Sequence, residues 1–309
     1  MNISKKEQVL IDFFKNQKVL IAFSGGVDST LLAAAAKHCP APAQAAGANT
    51  KTLAVTIKTE LVSDREIESA KETARELGIN HLVIEKSVLG LPEIENNRQN
   101  RCFICKREIL MTLLDYAEKN GYETVVEGTN YSDKLLSDEN TVPRPGLDFI
   151  LKQKEIQSNR NKDSRDQNNS NSGILPKLET PLLDLEITKE EIREMAKRRK
   201  LTVAEKPSMS CLATRFSYDT KLNSSLLKTI EAAEEMAGEI GAKQIRLRVH
   251  TDSAGRNIAR IEVEKSEAGI FFEDKNQKAT SDMISFLKQN GFSYVTVDLE
   301  GFRSGSMDI

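Results

Sequence analysis

The sequence predicts an α/β fold: a doubly wound parallel sheet followed by a smaller C-terminal α+β domain. Three observations carry that prediction. Short apolar runs alternate with stretches of helical periodicity through the first two thirds of the chain, the pattern of strands laid parallel by crossover helices. The first run, Val19 to Phe23, passes through Ser24-Gly25-Gly26 straight into a helical stretch opening Ser29-Thr30-Leu31-Leu32. The tail again alternates strand and helix but has no second glycine loop of this kind. With 309 residues there is ample material for two domains, which we place at 1–215 and 216–309.

The elements follow in order. Residues 4–15 have helical periodicity through Val9, Leu10, Phe13 and Phe14. Val19 to Phe23 is apolar throughout, as a strand covered on both faces must be. Lys51 to Ile57 reads as the second strand, and Ser63 as the N-cap of a helix that runs to Leu77 and stops at Gly78. A third strand is expected at His81 to Glu85, a helix at 106–119 and a fourth strand at Thr124 to Glu127. Thr188 is the expected N-cap of a helix within Ile187 to Lys200. A helix near 223–238, strands near 244–250 and 258–264, a helix at 278–290 and a strand at 294–298 complete the chain. Two segments break the pattern. Residues 39–50 form a loop of small residues, and 152–173 is rich in Asn, Ser, Gln and charge, with too little apolar surface to offset chain entropy, so a disordered insertion is expected there.

Bulk properties narrow the function classes. Hydrophobic residues make up 39% and charged residues 29%, ordinary for a globular protein. The net charge of −2 and the absence of Trp argue against a nucleic-acid partner, which would want a basic face or a stacking platform. No run approaches the roughly 18 apolar residues of a membrane helix, and Met1 to Glu7 lacks a signal-peptide core, so no membrane partner is expected and the cytoplasm is the expected compartment.

The glycine loop carries the chemistry. Gly25 and Gly26 allow a sharp turn and a close backbone approach to a ligand. Backbone N–H groups at the helix start then face that ligand, where the dipole favours phosphate. Ser24, Ser29 and Thr30 add hydroxyls, and the carboxylate of Asp28 suits the Mg2+ that accompanies polyphosphate. Gly-x4-Gly-Lys-Ser/Thr is absent, so this is not a Walker loop. Instead, Ile21-Ala-Phe-Ser-Gly-Gly-Val-Asp-Ser-Thr30 resembles the pyrophosphate loop of the ATP pyrophosphatase superfamily. That resemblance implies an adenine nucleotide alpha hydrolase-like fold and cleavage of ATP between its α- and β-phosphates. In a doubly wound sheet Gly128 and Thr129, after the fourth strand, fall beside this loop.

Of the four cysteines, Cys102 and Cys105 lie at x2 spacing and open a helix, where a thiol pKa falls. The pair alone fits zinc, redox or cluster chemistry. Cys211 is a third cysteine, in a turn-like segment with Arg215, and three cysteines suit a 4Fe–4S cluster with one open iron. Cys39 reads as a packing residue. Arg246 and Arg248 alternate on a strand and share a face with His250, either as a phosphate clamp balanced by Glu262 or as a solvated strand face. Lys106 and Arg215 could hold AMP or stabilise a thiolate, or be surface charge. Asp133 could bind magnesium, orient substrate or merely shape a turn, and Thr56 could meet adenine through its backbone. His38 and His81 read as structural.

A longer set of motifs resembles the LarE family of ATP-dependent sulfur transferases, which act in nickel-pincer nucleotide cofactor synthesis. It comprises Ser24 to Thr30, Arg101-Cys-Phe-Ile-Cys-Lys106, Glu127-Gly-Thr-Asn130 with Asp133, Arg144-Pro-Gly146, Pro181-Leu-Leu, Thr188-Lys-Glu-Glu-Ile-Arg193 and Lys206-Pro-Ser-Met-Ser-Cys-Leu-Ala-Thr-Arg215, with the arginines of 246–248 and Arg260-Ile-Glu262. The insertion 152–173 departs from the family pattern. The resemblance implies that ATP adenylates the carboxylates of pyridinium-3,5-biscarboxylic acid mononucleotide and that sulfur then replaces AMP. It also implies a choice between a sacrificial cysteine at Cys211 and a 4Fe–4S cluster on Cys102, Cys105 and Cys211; the presence of all three favours the cluster. Sulfide or a sulfur donor and a homo-oligomeric assembly are further implications. A tRNA 2-thiolation enzyme, sharing loop and cysteines, is the closest alternative.

Overall fold

Parallel pairing organises the N-terminal part of the chain. A computed structural model describes residues 1–38, 52–138, 145–163, 176–207, 211–303 and 305–307. Cys39, the loop 39–50, Arg144 and residues 164–173 of the expected insertion lie outside the described residues. The chain divides into two units, the first made of Met1–Thr59, Asp64–Lys86 and Cys102–Met209, the second of Glu60–Ser63, Ser87–Arg101 and Ser210–Ile309.

In chain order the elements are α1 (Ile3–Phe13), β1 (Val19–Ala22), α2 (Val27–Lys37), β2 (Thr52–Lys58), α3 (Asp64–Leu77), β3 (His81–Glu85), α4 (Pro92–Glu95), α5 (Arg101–Lys119), β4 (Thr124–Val126), α6 (Tyr131–Asp138), α7 (Pro145–Asp163), β5 (Lys177–Glu179), α8 (Pro181–Asp184), α9 (Lys189–Arg198), α10 (Ser224–Ile240), β6 (Ile245–Thr251), β7 (Asn257–Val263), α11 (Gln277–Gln289) and β8 (Phe292–Val297). In the first unit five strands pair in the order β3-β2-β1-β4-β5, and every pairing is parallel. Successive side chains of a strand point to opposite faces, so each strand feeds two cores. Val19, Ile21, Ala54 and Val126 face one, with residues of α1, α2, α3 and α9. Leu20, Val55, Ile57, Val125 and Leu178 face the other, with residues of α5 and α7. Leu20, Ile21 and Val125 are fully buried, each such side chain contributing about 1.5–3 kcal/mol. The order reverses beside β1, between β1 and β4, the switch point at which doubly wound sheets take their ligands.

Helix α7 continues to Asp163, into the span 152–173 for which a disordered insertion is expected. Lys, Gln and Glu are good helix formers, and the helix is anchored at its start by buried Leu147, Phe149 and Ile150. Further along, Lys154 Nζ bonds Thr180 Oγ1 at 3.0 Å and pairs with Asp184 at 2.6 Å. Gln157 Oε1 accepts the Leu178 N–H at 3.2 Å.

The second unit holds a mixed three-stranded sheet in the order β6-β7-β8, antiparallel between β6 and β7 and parallel between β7 and β8. Leu247, Val249, Ala259 and Ile261 fill one face, and Arg246, Arg248, Arg260 and Glu262, at alternate positions, take the other. Segment 87–101 is tied in through fully buried Asn97, whose Nδ2 donates to the carbonyl of Ser217 at 2.8 Å.

Candidate active site

The loop between β1 and α2 is built by its own side chains. Gly25 has φ +67°, and a Cβ there would stand 2.7 Å from Ala70 Cα, so both its conformation and the approach of α3 require glycine. The Gly26 N–H donates to Ser24 Oγ at 3.3 Å, Ser29 Oγ donates to the Gly26 carbonyl at 3.2 Å, and the Ser24 N–H donates to Ser29 Oγ at 3.2 Å. The N-terminus of α2 therefore opens onto a turn of fixed shape. Thr30 Oγ1, in the second turn of α2, is buried with no hydrogen-bond partner among the described residues.

The loop after β4 meets it. A Cβ on Gly128 would lie 3.3 Å from the Cβ of Asp28 and 3.4 Å from the Ser29 nitrogen, so a side chain would crowd the start of α2. Glu127, buried beneath, accepts from the Thr129 N–H at 2.8 Å and pairs with Lys106. Burial pushes the Glu127 carboxyl up, but the Lys106 ammonium and the bonds from Thr129 outweigh it and hold it below the ordinary carboxylate value. Asn130 and Asp133 exchange bonds at the start of α6: the Asn130 N–H donates to Asp133 Oδ2 and the Asp133 N–H to Asn130 Oδ1, each at 3.2 Å. Asn130 Nδ2 also donates to Asp28 Oδ1 at 3.2 Å. Asp133 thus shapes the turn that delivers Asn130 to Asp28.

A cavity of about 190 Å3 opens here, lined by Ser24, Gly26, Asp28, Glu66, Lys189 and Lys206, among others. Lys189 Nζ sits 2.5 Å from Asp28 Oδ2. Burial pushes the Asp28 carboxyl up, and the Lys189 charge only partly offsets this. Lys206 Nζ donates to Ser69 Oγ at 2.7 Å and to the Gly25 carbonyl at 3.2 Å, and burial holds its pKa below the usual lysine value. Lys189, Lys206 and Glu66 were given no role from sequence. The two lysines stood inside recognised motifs, which was the available signal. Thr56 lies inside β2, and its Oγ1 donates to the Phe23 carbonyl at 2.6 Å and sits 2.8 Å from His81 Nε2, so its side chain braces the strand end before the loop.

Cys102 and Cys105 occupy the first two turns of α5, Cys102 exposed and Cys105 half-buried, three residues apart and so on one helical face. Cys211 belongs to the second unit. None of the three is in a disulfide. Among the described residues no three His, Cys, Asp or Glu side chains gather to hold a metal. The oxygen donors around Asp28 are nevertheless of the type magnesium takes, and the unpaired Thr30 hydroxyl and the glycine-lined turn fit a phosphate ligand.

In the second unit the Cys211 turn is locked to the polar sheet face. The Cys211 carbonyl accepts from Thr214 Oγ1 at 2.7 Å and from Arg215 Nη1 at 3.2 Å. Arg215 forks onto Glu234 with two bonds of 2.9 Å. Arg248 bonds the Thr214 carbonyl at 2.8 Å and Glu262 Oε2 at 2.9 Å. Glu262, fully buried, also takes Arg260 at 3.2 Å and Ser306 Oγ at 2.6 Å. Arg246 is stacked 5.5 Å from the Phe302 ring centroid. Arg246, Arg248 and Arg215 are 8%, 4% and 3% exposed, so none is solvated surface charge. Glu234 and Asp298, the latter 2.6 Å from Arg260 Nη1, were missed from sequence because nothing local marks them.

No helix among the described residues is long and apolar enough to cross a membrane. Residues 7–94 match the asparagine synthase family. An uncharacterized protein of Synechocystis sp. is 30% identical over 99% of this chain and 97% of its own. One of Methanocaldococcus jannaschii is 31% identical over 97% and 96%. The pyridinium-3,5-bisthiocarboxylic acid mononucleotide synthase of Lactiplantibacillus plantarum is 30% identical over 99% of this chain and 95% of its own. With that likeness spanning nearly both full lengths, this chain belongs to the LarE family, that of the pyridinium-3,5-bisthiocarboxylic acid mononucleotide synthase.

Proposed function

We propose that this protein is an ATP-dependent sulfur transferase that converts pyridinium-3,5-biscarboxylic acid mononucleotide to its bisthiocarboxylate. The observation that carries this reading is the glycine loop at the β1–β4 switch point, in a chain alike along its full length to a protein named for that product. A substrate carboxylate oxygen attacks the α-phosphorus of ATP and pyrophosphate leaves. Sulfide then adds at the acyl carbon, and the carboxylate oxygen departs with AMP. The Gly25–Gly26 turn and the first N–H groups of α2 receive the departing pyrophosphate, with Ser24, Ser29 and Thr30 as hydroxyl donors and Asp28 as the group that would hold magnesium. Lys106 and the Gly128–Thr129 loop border the nucleotide, and Thr56 holds the adjoining strand end.

Arg246, Arg248 and Glu262 form the rigid cationic face for the phosphate of the mononucleotide, and Arg215 fixes the Cys211 turn. Cys102, Cys105 and Cys211 are the sulfur-handling thiols. A 4Fe–4S cluster on them would supply a sulfide nucleophile without consuming a side chain. The test is the identity of the nucleotide products when protein, ATP, magnesium and the dicarboxylate are mixed. AMP and pyrophosphate are expected; ADP and phosphate would overturn the reading.

A further inference from the structure

The cavity beside the loop is lined by two lysines, and both come from one stretch of chain. Lys189 is the first residue of α9, and Lys206 follows the short helical turn Thr202–Glu205 that comes after it. That stretch is fixed to the loop's own helix: Ile192, Met195, Ala196, Val203 and Ala204 share a core with Leu31, Leu32 and Ala35 of α2. Arg193 joins its two ends, donating to the carbonyls of Ala204 at 2.6 Å and Lys206 at 3.3 Å. The backbone positions from which the two lysines reach the cavity are therefore set by packing.

Their present partners differ. Lys206 Nζ, half-buried, has two neutral acceptors, Ser69 Oγ and the Gly25 carbonyl, and no carboxylate within ion-pair distance among the described residues. Burial of this cation outweighs the attraction of the nearby Glu66 carboxylate, and an arriving anion lowers that cost. Lys189 is instead held by Asp28, the two side chains being 26% and 24% exposed. Asp28 is thereby partly balanced by a residue of the chain itself.

We propose that Lys189 and Lys206 form a clamp for the pyrophosphate portion of ATP, with Lys189 resting on Asp28 until the phosphates arrive and then transferring to them. This rests on the ATP-cleaving reading above and adds to it the groups that balance the leaving charge. The clamp makes the site selective for the polyphosphate: AMP, which lacks the β- and γ-phosphates, gains little from either lysine. It also makes Asp28 available for a divalent cation only when phosphate has drawn Lys189 away, so cation and nucleotide bind cooperatively.

Calorimetric titration of the full chain with ATP, pyrophosphate and AMP separates the possibilities, using Lys189→Met and Lys206→Met. Each variant should lose about tenfold in affinity for ATP and for pyrophosphate, the loss of one charge-assisted bond, with AMP changed by less than about threefold. Magnesium alone should raise the melting temperature of Lys189→Met more than that of the wild type, because it replaces the missing counter-charge on Asp28. Unchanged ATP affinity in both variants, or equal loss for AMP, overturns the clamp while leaving ATP use intact. A wild-type chain that binds neither ATP nor pyrophosphate overturns the ATP-cleaving reading itself.

Discussion

At the scale of single residues the site is held by a few positions with no tolerance. Gly25→Ala places a Cβ 2.7 Å from the Ala70 backbone in a left-handed conformation. The conformation alone costs about 1–2 kcal/mol, and the clash adds to it. The urea midpoint should fall and nucleotide binding should be lost together. Glu127 gives a pH signature. Its folded pKa lies below the ordinary value of 4.5, so its ionised form stabilises the fold above that pH, and the contribution fades as pH falls through the depressed value. Urea unfolding of wild type and Glu127→Gln should differ most near neutral pH and converge in acid below 4.5. The loop glycines and Asp28 were legible in sequence because their chemistry is local. Lys189 and Lys206 were not, because they meet Asp28 and Gly25 across 161 and 181 residues.

At the scale of elements, α9 matters for what it carries. Its capping box pairs Thr188 Oγ1 with the Glu191 N–H at 3.3 Å and Glu191 Oε2 with the Thr188 N–H at 3.0 Å. Thr188→Ala should cost about 1 kcal/mol, read as a lower urea midpoint. It should also loosen Lys189 and so weaken pyrophosphate binding, while Thr229→Ala, on α10 of the other unit, should leave that binding unchanged. The cap was readable from Thr188-x-x-Glu191, and β1 to β4 from their apolar runs. The three residues of β5, Lys-Leu-Glu, carry one apolar side chain between two charges, and only pairing with β4 identifies them as a strand. The run of α7 into the polar stretch is equally hard to read, because beyond the buried Leu147, Phe149 and Ile150 it rests on contacts of Lys154 to the distant Thr180 and Asp184.

At the scale of the whole molecule, the first unit holds the glycine loop at its switch point and the second the arginine-lined sheet face. The alternation of Arg246 and Arg248 was visible in sequence, but the burial of Arg248 against Glu262 and Thr214, and of Arg246 against Phe302, depends on pairings that sequence does not display. Glu262→Gln should destabilise the protein by about 3–5 kcal/mol, because it leaves the buried Arg248 guanidinium without its carboxylate, a loss visible in thermal unfolding. The cysteines call for iron and acid-labile sulfide on protein purified without oxygen. About four iron per chain, lost in each of Cys102→Ala, Cys105→Ala and Cys211→Ala, is expected. Absence of iron with Cys211 turned to dehydroalanine after one turnover would mean a sacrificial donor instead. The most direct measurement is mass spectrometry of pyridinium-3,5-biscarboxylic acid mononucleotide after anaerobic incubation with the protein, ATP, magnesium and sulfide. Sulfur should replace one oxygen of each carboxylate while AMP and pyrophosphate accumulate. An unaltered mononucleotide with ATP intact would contradict the sulfur-transfer function.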